Sequence, residues 1–434
     1  MKQALSWAAL VATALIIGFL TPIYGLSILA CILALAVLVL AYKKPELALI
    51  LWLLTVVFVP SWTNVYVGGI GLPPAAFGVP ILLGIGLSRV FGPEPVRINR
   101  MDIAIGLATL MVLFLSFTGE LRGIVFVRDL LVLWVLGYLL GRNVTVKVTR
   151  AYVIMMTVVA AWGIVEFFFG MHLFLEWMPS PSHTLNLIQE RAGVSRSEAS
   201  FGHGIAYGAT LAMAIPFAHQ LRKNVVLVQA LLAAGILVSL SRGPMLALAF
   251  TLILTAWVFS SSGKTRLRYT VLAVAVGGAV YTVMSGLYSG VYSGEVAGSG
   301  NARLDQYGLV RDSLHWMSSA LTFVGQDASP LVNGVQLIDS TPLRFAVNFG
   351  IITAVLFLVP VLVAAVRCVK RTAGPASVAL AGQIPVLLVT SPITQWQVLL
   401  FFMMGMVAAE RVRKTHQSSE PGTDVESQVP VSAR

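Results

Sequence analysis

Apolar runs of roughly 17 to 25 residues recur along the whole chain, and they constrain its fold more than any other feature. A helix needs about 20 such residues to cross the hydrocarbon core of a bilayer, which is roughly 30 Å thick. Of the 434 residues, 57% are hydrophobic and only 11% are charged, whereas soluble domains carry about 25% charged residues. The sequence therefore predicts an all-α fold, a polytopic transmembrane helical bundle.

The apolar runs and the Pro, Gly and charged residues between them predict about 12 to 14 spans. We place them near residues 5–20, 23–42, 46–59, 74–91, 101–118, 123–141, 150–170, 203–220, 224–240, 243–261, 267–287, 343–366, 376–390 and 395–410. The first is interpreted as a helix and not as a signal peptide, because another apolar run follows it at once. Residues 1–410 are thus predicted to form one transmembrane domain, and residues 411–434 a disordered cytoplasmic tail.

The basic clusters fix the expected orientation. With a cytoplasmic N-terminus, alternating spans put every cluster on the cytoplasmic side, as the positive-inside rule requires. The clusters are Lys43 and Lys44; Arg89, Arg97 and Arg100; Arg142, Lys147 and Arg150; Arg222 and Lys223; Lys264, Arg266 and Arg268; Arg367, Lys370 and Arg371; and Arg411, Arg413 and Lys414. The net charge of +11 is therefore assigned to topology, and no nucleic-acid partner is predicted.

The outer side receives two long connections, residues 171–202 and 288–342, of a length that is usually functional or disordered. All basic residues on this side are arginines: Arg122, Arg128, Arg191, Arg196, Arg242, Arg303, Arg311 and Arg344. Arginine suits phosphate and carboxylate groups, so an anionic ligand is expected there. The alternative is that these arginines pair with external acidic residues, namely Glu120, Glu190, Glu198, Glu295 and Asp305.

Arg242 stands in the sequence Ser241-Arg242-Gly243-Pro244, between two apolar spans. Proline suits the first turn of a helix, and a helix N-terminus attracts anions through its N–H groups and its dipole. The pattern predicts a phosphate pocket, although a tight interhelical turn would use the same residues. Arg128 and Asp129 lie inside a span, where charge is expensive; they are expected to face a cavity or to form a structural ion pair.

The second long connection supplies further candidates. Arg311 and His315 are four residues apart, a spacing that would put both on one face of a helix. Asp339, directly before a predicted span, is expected either to act as a general base or to cap that helix. The histidines show no metal-ligand spacing and no nucleotide-binding glycine loop is present, so neither a metal nor a cofactor is predicted.

Four short patterns together resemble the O-antigen ligase and O-antigen polymerase superfamily of bacterial membrane enzymes. Arg191 is followed by ten residues and Gly202, Arg242 by three residues and Leu246, and Arg303 by Trp316 and Gly325. Asp339-Ser340 is followed by nine residues, Gly350 and Thr353, where the ligases have His-Ser or His-Asn before the same spacing. The aspartate in place of histidine favours a polymerase over a lipid A–core ligase.

The resemblance implies a GT-C-like, metal-independent glycosyltransferase with short helices in a long periplasmic loop. It would join O-antigen or exopolysaccharide units carried on undecaprenyl pyrophosphate, at the periplasmic face of the inner membrane, and a chain-length regulator would be a further partner. Arg191, Arg242 and Arg311, with Arg303 as a substitute, would bind pyrophosphate. Asp339 would be the base, with His315 as its rival. Ligase activity and lipid-linked sugar transport remain the alternatives.

Overall fold

The computed structural model describes residues 31–67, 70–90, 98–117, 123–174, 190–191, 194–221, 224–260, scattered positions between 263 and 278, 314–318, 323–324, 329–330 and 339–417. The predicted span 5–20, most of the span 267–287 and the tail beyond residue 417 lie outside this part. The described residues are mostly helical, and their strands form three short antiparallel hairpins.

The first half contains seven α-helices and two hairpins among the described residues. The helices are α1 (Cys31–Lys43), α2 (Pro45–Phe58), α3 (Gly78–Val90), α4 (Arg100–Phe117), α5 (Gly123–Asp129), α6 (Leu136–Gly141) and α7 (Val146–Phe169). A π-helical stretch, Leu130–Val135, joins α5 to α6. The hairpins pair β1 (Val65–Val67) with β2 (Ile70–Leu72), and β3 (Glu190–Arg191) with β4 (Val194–Ser195).

The second half continues with α8 (Gly204–Ala214), extended by the 3-10 turn Ile215–Leu221, and with α9 (Val225–Val238) and α10 (Arg242–Phe259). The strands β5 (Phe323–Val324) and β6 (Ser329–Pro330) form the third hairpin. Five helices follow: α11 (Thr341–Phe349), α12 (Ile351–Val369), α13 (Pro375–Ala381), α14 (Ile384–Val389) and α15 (Thr394–Gln417).

Four of these helices, α4, α7, α10 and α12, are long and apolar enough to cross a membrane. Shorter apolar helices accompany them: Cys31–Lys43, Pro45–Phe58, Pro74–Val90, Val225–Val238 and Pro375–Val389. The chain is therefore a largely helical protein with membrane-spanning character. The total of 12 to 14 spans stays a prediction.

Two predicted spans are interrupted, and the last helix is longer than expected. The span 343–366 is divided at Gly350, whose φ of +91° suits glycine and whose absent Cβ leaves room for the Met317 backbone. The span 376–390 breaks at residues 382–383, between α13 and α14. Helix α15 continues to Gln417, past the boundary at residue 410 that was predicted for the tail.

The centre of the bundle depends on close contact between α6 and α15. A Cβ atom at Gly141 would lie 2.0 Å from the carbonyl oxygen of Phe402, and one at Gly405 would lie 2.0 Å from that of Tyr138. Small residues allow helix backbones to approach this closely, which is a common packing mode in membranes. Trp52, which is fully buried, packs against Phe402 beside this contact, with 5.3 Å between the ring centroids.

Polar contacts connect three of the basic clusters, those of Arg100, Arg142 and Arg367, at one end of the bundle, which we call the basic end. Arg142 forms an ion pair with Asp102 (3.0 Å), and Arg367 forms one with Glu410 (3.6 Å). Asn99, next to Arg100, donates to the carbonyl of Ala408 (3.2 Å). Helices that start or finish far apart in sequence thus meet here.

The opposite end, which we call the loop end, comprises residues 59–72, 194–203, 239–242, 339–341 and 390–395. Gln395 connects its parts by donating to the carbonyls of Val59 (3.2 Å) and Ser200 (2.6 Å).

Candidate functional site

Helix α10 begins at Arg242, which confirms the helix start expected from the Ser-Arg-Gly-Pro sequence. Ser241 is the buried N-cap residue, Pro244 lies in the first turn, and Arg242 itself is exposed. The N–H groups of a first helical turn lack partners within the helix, and the dipole makes this end positive. Arg242 therefore adds a permanent charge to a helix end that already favours anions.

Helix α11 begins close to the same place. Its N-cap residue is Ser340, so Asp339 precedes the capping position that was one of its two expected roles. The hydroxyl of Thr341 donates to the carbonyl of Thr390 (2.7 Å), directly after α14. Asp339 is half-buried at this junction.

The end of α14 brings Arg242 and Asp339 into one region. A Cβ atom at Gly243, next to Arg242, would lie 3.6 Å from the side chain of Val389. Thr341, two residues after Asp339, is bonded to Thr390. The two predicted residues, which are 97 positions apart in sequence, thus each lie within two residues of a contact with one short segment at the loop end.

Arg196 supports the start of α10 from within the protein, a role that the sequence did not indicate. Its Nη2 donates to the hydroxyl of Ser241, and its Nε donates to the carbonyl of Ser239 (3.1 Å). The side chain is buried. Arg196 therefore fixes the N-cap residue that positions Arg242.

Two buried carboxyl groups lie beside this support. Glu166, in the last turn of α7, accepts through Oε2 from the backbone N–H groups of Ala199 (2.8 Å) and Glu198 (3.3 Å). Within the described part of the chain, Oε1 of Glu166 and Oε1 of Glu198 are buried without hydrogen-bond partners. Burial raises the pKa of Glu198 to about 8, while the charge of Arg196 lowers this pKa and that of Glu166 raises it. Glu198 thus holds its proton at neutral pH.

The backbone around these groups is strained. Ala199 (φ +47°), Leu240 (φ +49°) and Thr394 (φ +46°) are three of the five non-glycine residues with positive φ in the described ranges. Such conformations cost about 1 to 3 kcal/mol each and cluster at functional sites. All three belong to the loop end.

The structure does not bring His315 to Asp339. The carbonyl of His315 accepts from the N–H of Ile351 (2.9 Å), directly after Gly350. The nine-residue helix α11, about 14 Å long, separates that contact from Asp339. Arg191 lies in β3, where only its backbone is described, and Arg303 and Arg311 lie outside the described residues.

Arg128 and Asp129 form an ion pair of 2.7 Å, the structural alternative of their two expected roles. Arg128 also donates to the carbonyl of Gly71 in β2, so it connects the first hairpin to the end of α5. No group of three or more His, Cys, Asp or Glu side chains in the described residues is placed to hold a metal ion.

Comparison of the chain with protein-family models, with curated proteins and with solved structures gives no match.

Proposed function

We propose that this protein is a polymerase that joins oligosaccharide units of O-antigen or exopolysaccharide carried on undecaprenyl pyrophosphate. The observation that carries the proposal is that both Arg242 and Asp339 lie next to the end of α14. Gly243, beside Arg242 at the N-terminus of α10, is close to Val389, and Thr341, two residues after Asp339, is bonded to Thr390. An anion-binding helix end beside a carboxylate is what glycosyl transfer from a lipid pyrophosphate requires.

The chemistry follows from these two groups. An acceptor hydroxyl oxygen attacks the anomeric carbon of the donor sugar, and the bond from that carbon to the pyrophosphate oxygen breaks. Asp339 takes the hydroxyl proton, and the lipid pyrophosphate leaves with the bonding electron pair. Arg242 and the first turn of α10 stabilise the charge that develops on the leaving group, which needs no reorganisation because both are already in position.

The proposed location is the bacterial inner membrane, with the loop end facing the periplasm. Two of the positively charged clusters, those of Arg142 and Arg367, form ion pairs at the basic end, and such clusters are retained on the cytoplasmic side of membrane proteins. The lipid-linked substrate would then reach the loop end from the outer leaflet. Arg191, Arg303 and Arg311 remain proposed as further pyrophosphate ligands.

The direct test incubates the purified protein with lipid-linked repeat units and measures glycan length on a gel. Chain lengthening without another protein supports a polymerase. Movement of the lipid-linked sugar across a vesicle membrane without new glycosidic bonds would instead support transport. Long chains on lipid A–core in a ligase-deficient strain would indicate the ligase.

The residue-level test is Arg242→Ala, which we expect to abolish chain growth while protein abundance stays near normal. Arg100→Ala, an exposed arginine at the basic end, is the matched control and should retain activity. Arg242→Lys should recover little, because an ammonium lacks the planar fork of arginine. Full activity in Arg242→Ala would place the pyrophosphate site elsewhere.

A further inference from the structure

A small cavity lies next to the loop end, which it reaches at Pro392, between α11 and α15. Its volume is about 30 Å³, which is room for about one water-sized group. Its wall is mainly aromatic, and its polar lining consists of Arg344, Asn348 and Gln397. None of the described residues that line it carries a carboxylate.

Among the residues that the structure describes, Arg344 has no acidic group to neutralise it. Within the described part of the chain, its guanidinium makes no hydrogen bond or ion pair, unlike Arg128 and Arg196. The side chain is only partly exposed, among the rings of Trp134, Phe345 and Phe349. Keeping an uncompensated charge in such surroundings is costly, so its retention calls for a compensating group from outside the protein.

The two amides add hydrogen-bond donors to the same space. Gln397 accepts through Oε1 from the indole N–H of Trp134 (3.1 Å). Because that bond occupies the amide oxygen, it leaves the Nε2 hydrogens of Gln397 to other acceptors. Asn348 follows Arg344 by four residues, one turn along the same helix face. The cavity therefore offers donors and a positive charge, which suits an oxyanion.

We propose that Arg344, Asn348 and Gln397 bind a phosphate oxygen of the polyprenyl pyrophosphate lipid. The proposal rests on the proposed function. The backbone N–H of Arg344 donates to the carbonyl of Ser340 (2.8 Å), which places Arg344 one helical turn from Asp339. The cavity admits one oxygen of the headgroup, and the rest of the lipid stays at the loop end. Arg344 and Arg242 then hold the headgroup from two helices.

The experiment measures the affinity of full-length protein in nanodiscs for undecaprenyl pyrophosphate by native mass spectrometry. Arg344→Met should weaken binding about tenfold or more, as expected for loss of a charged hydrogen bond. Arg344→Lys should retain part of the affinity. Arg100→Met, at the basic end, is the control and should leave the affinity unchanged.

Thermal unfolding separates binding from a structural role. Because Arg344 has no hydrogen bond or ion pair to the described residues, Arg344→Met should leave the Tm of the lipid-free protein unchanged or raise it. A lowered Tm, or wild-type affinity in Arg344→Met, overturns the proposal. Binding of phosphatidylglycerol with the same dependence on Arg344 also overturns it, because the site would then serve bilayer lipid.

The lipid-binding result and the test of polymerase activity can fail independently. Binding that depends on Arg344 in a protein without chain-lengthening activity refutes the polymerase and leaves the lipid site standing. Chain lengthening with the same lipid affinity in wild type and Arg344→Met refutes the lipid site alone.

Discussion

Replacing Glu198 by glutamine should make the protein more stable in alkaline solution. Glu198 is 2% exposed, and its burial raises its pKa to about 8 from an ordinary value of 4.5. The native state therefore contains the neutral carboxylic acid at pH 7. Glutamine is also neutral and has nearly the same shape, so Glu198→Gln removes the ability to ionise and little else.

The sign and size of the effect follow from proton linkage. A carboxyl whose pKa is raised on folding stabilises the native state fully below the unfolded pKa, and this stability is lost as pH rises through the folded pKa. Between pH 4.5 and pH 8, each pH unit costs about 1.4 kcal/mol, or about 5 kcal/mol in all. Glu198→Gln cannot lose stability in this way. The difference in the free energy of unfolding between the variant and wild type should therefore grow with pH and level off above about pH 8.

The assay is thermal unfolding of wild type and Glu198→Gln in the same detergent from pH 5 to pH 9. The two Tm curves should lie close together near pH 5 and diverge toward pH 9, where the variant melts higher. Asp102→Asn is the control, because it removes a carboxylate that is paired with Arg142 at the basic end, and it should lower the Tm. Parallel curves for wild type and Glu198→Gln would refute the argued protonation of Glu198.

Further predictions concern packing and catalysis. Gly141→Ala should lower the Tm, at a cost of about 2 kcal/mol or more, because its Cβ would meet the backbone of Phe402; Gly106→Ala, which has open space around it, should gain up to about 1 kcal/mol. Asp339→Asn should slow chain growth about a hundredfold or more without changing lipid affinity, as loss of a general base does. His315→Ala should keep most of the activity. If Asp339→Asn stays active and His315→Ala loses activity, the base is His315.

The start of α10 was predictable because its signal is local. Serine, glycine and proline around Arg242 have conformational preferences that act within one turn. Helix breaks were harder to predict, because an apolar run continues across each of them. At Gly350 the break depends on the close approach of the Met317 backbone, a tertiary contact that composition does not record.

The support of the candidate site was not predictable for the same reason. Arg196 and Ser241 are 45 residues apart, and no spacing rule joins them. Glu166 is a single carboxylate within a long apolar span, and its contact with the backbone of Ala199 arises only when α7 packs against the following loop. Local sequence patterns indicated which residues begin helices. The hydrogen-bond partners of buried charged groups such as Arg196 and Glu166 depend on tertiary packing, which those patterns do not contain.

The acceptor groups around each guanidinium decide which of Arg128, Arg196 and Arg344 is available to a ligand. Arg128 is neutralised by Asp129, and an incoming phosphate would have to compete with that carboxylate. Arg196 already donates hydrogen bonds to Ser239 and Ser241. Arg344 has neither kind of partner among the described residues, so a bound anion there adds bonds without breaking any. An excess of arginine on one face therefore does not by itself define an anion site. An anion site needs an arginine whose guanidinium is not already neutralised or hydrogen-bonded by the protein.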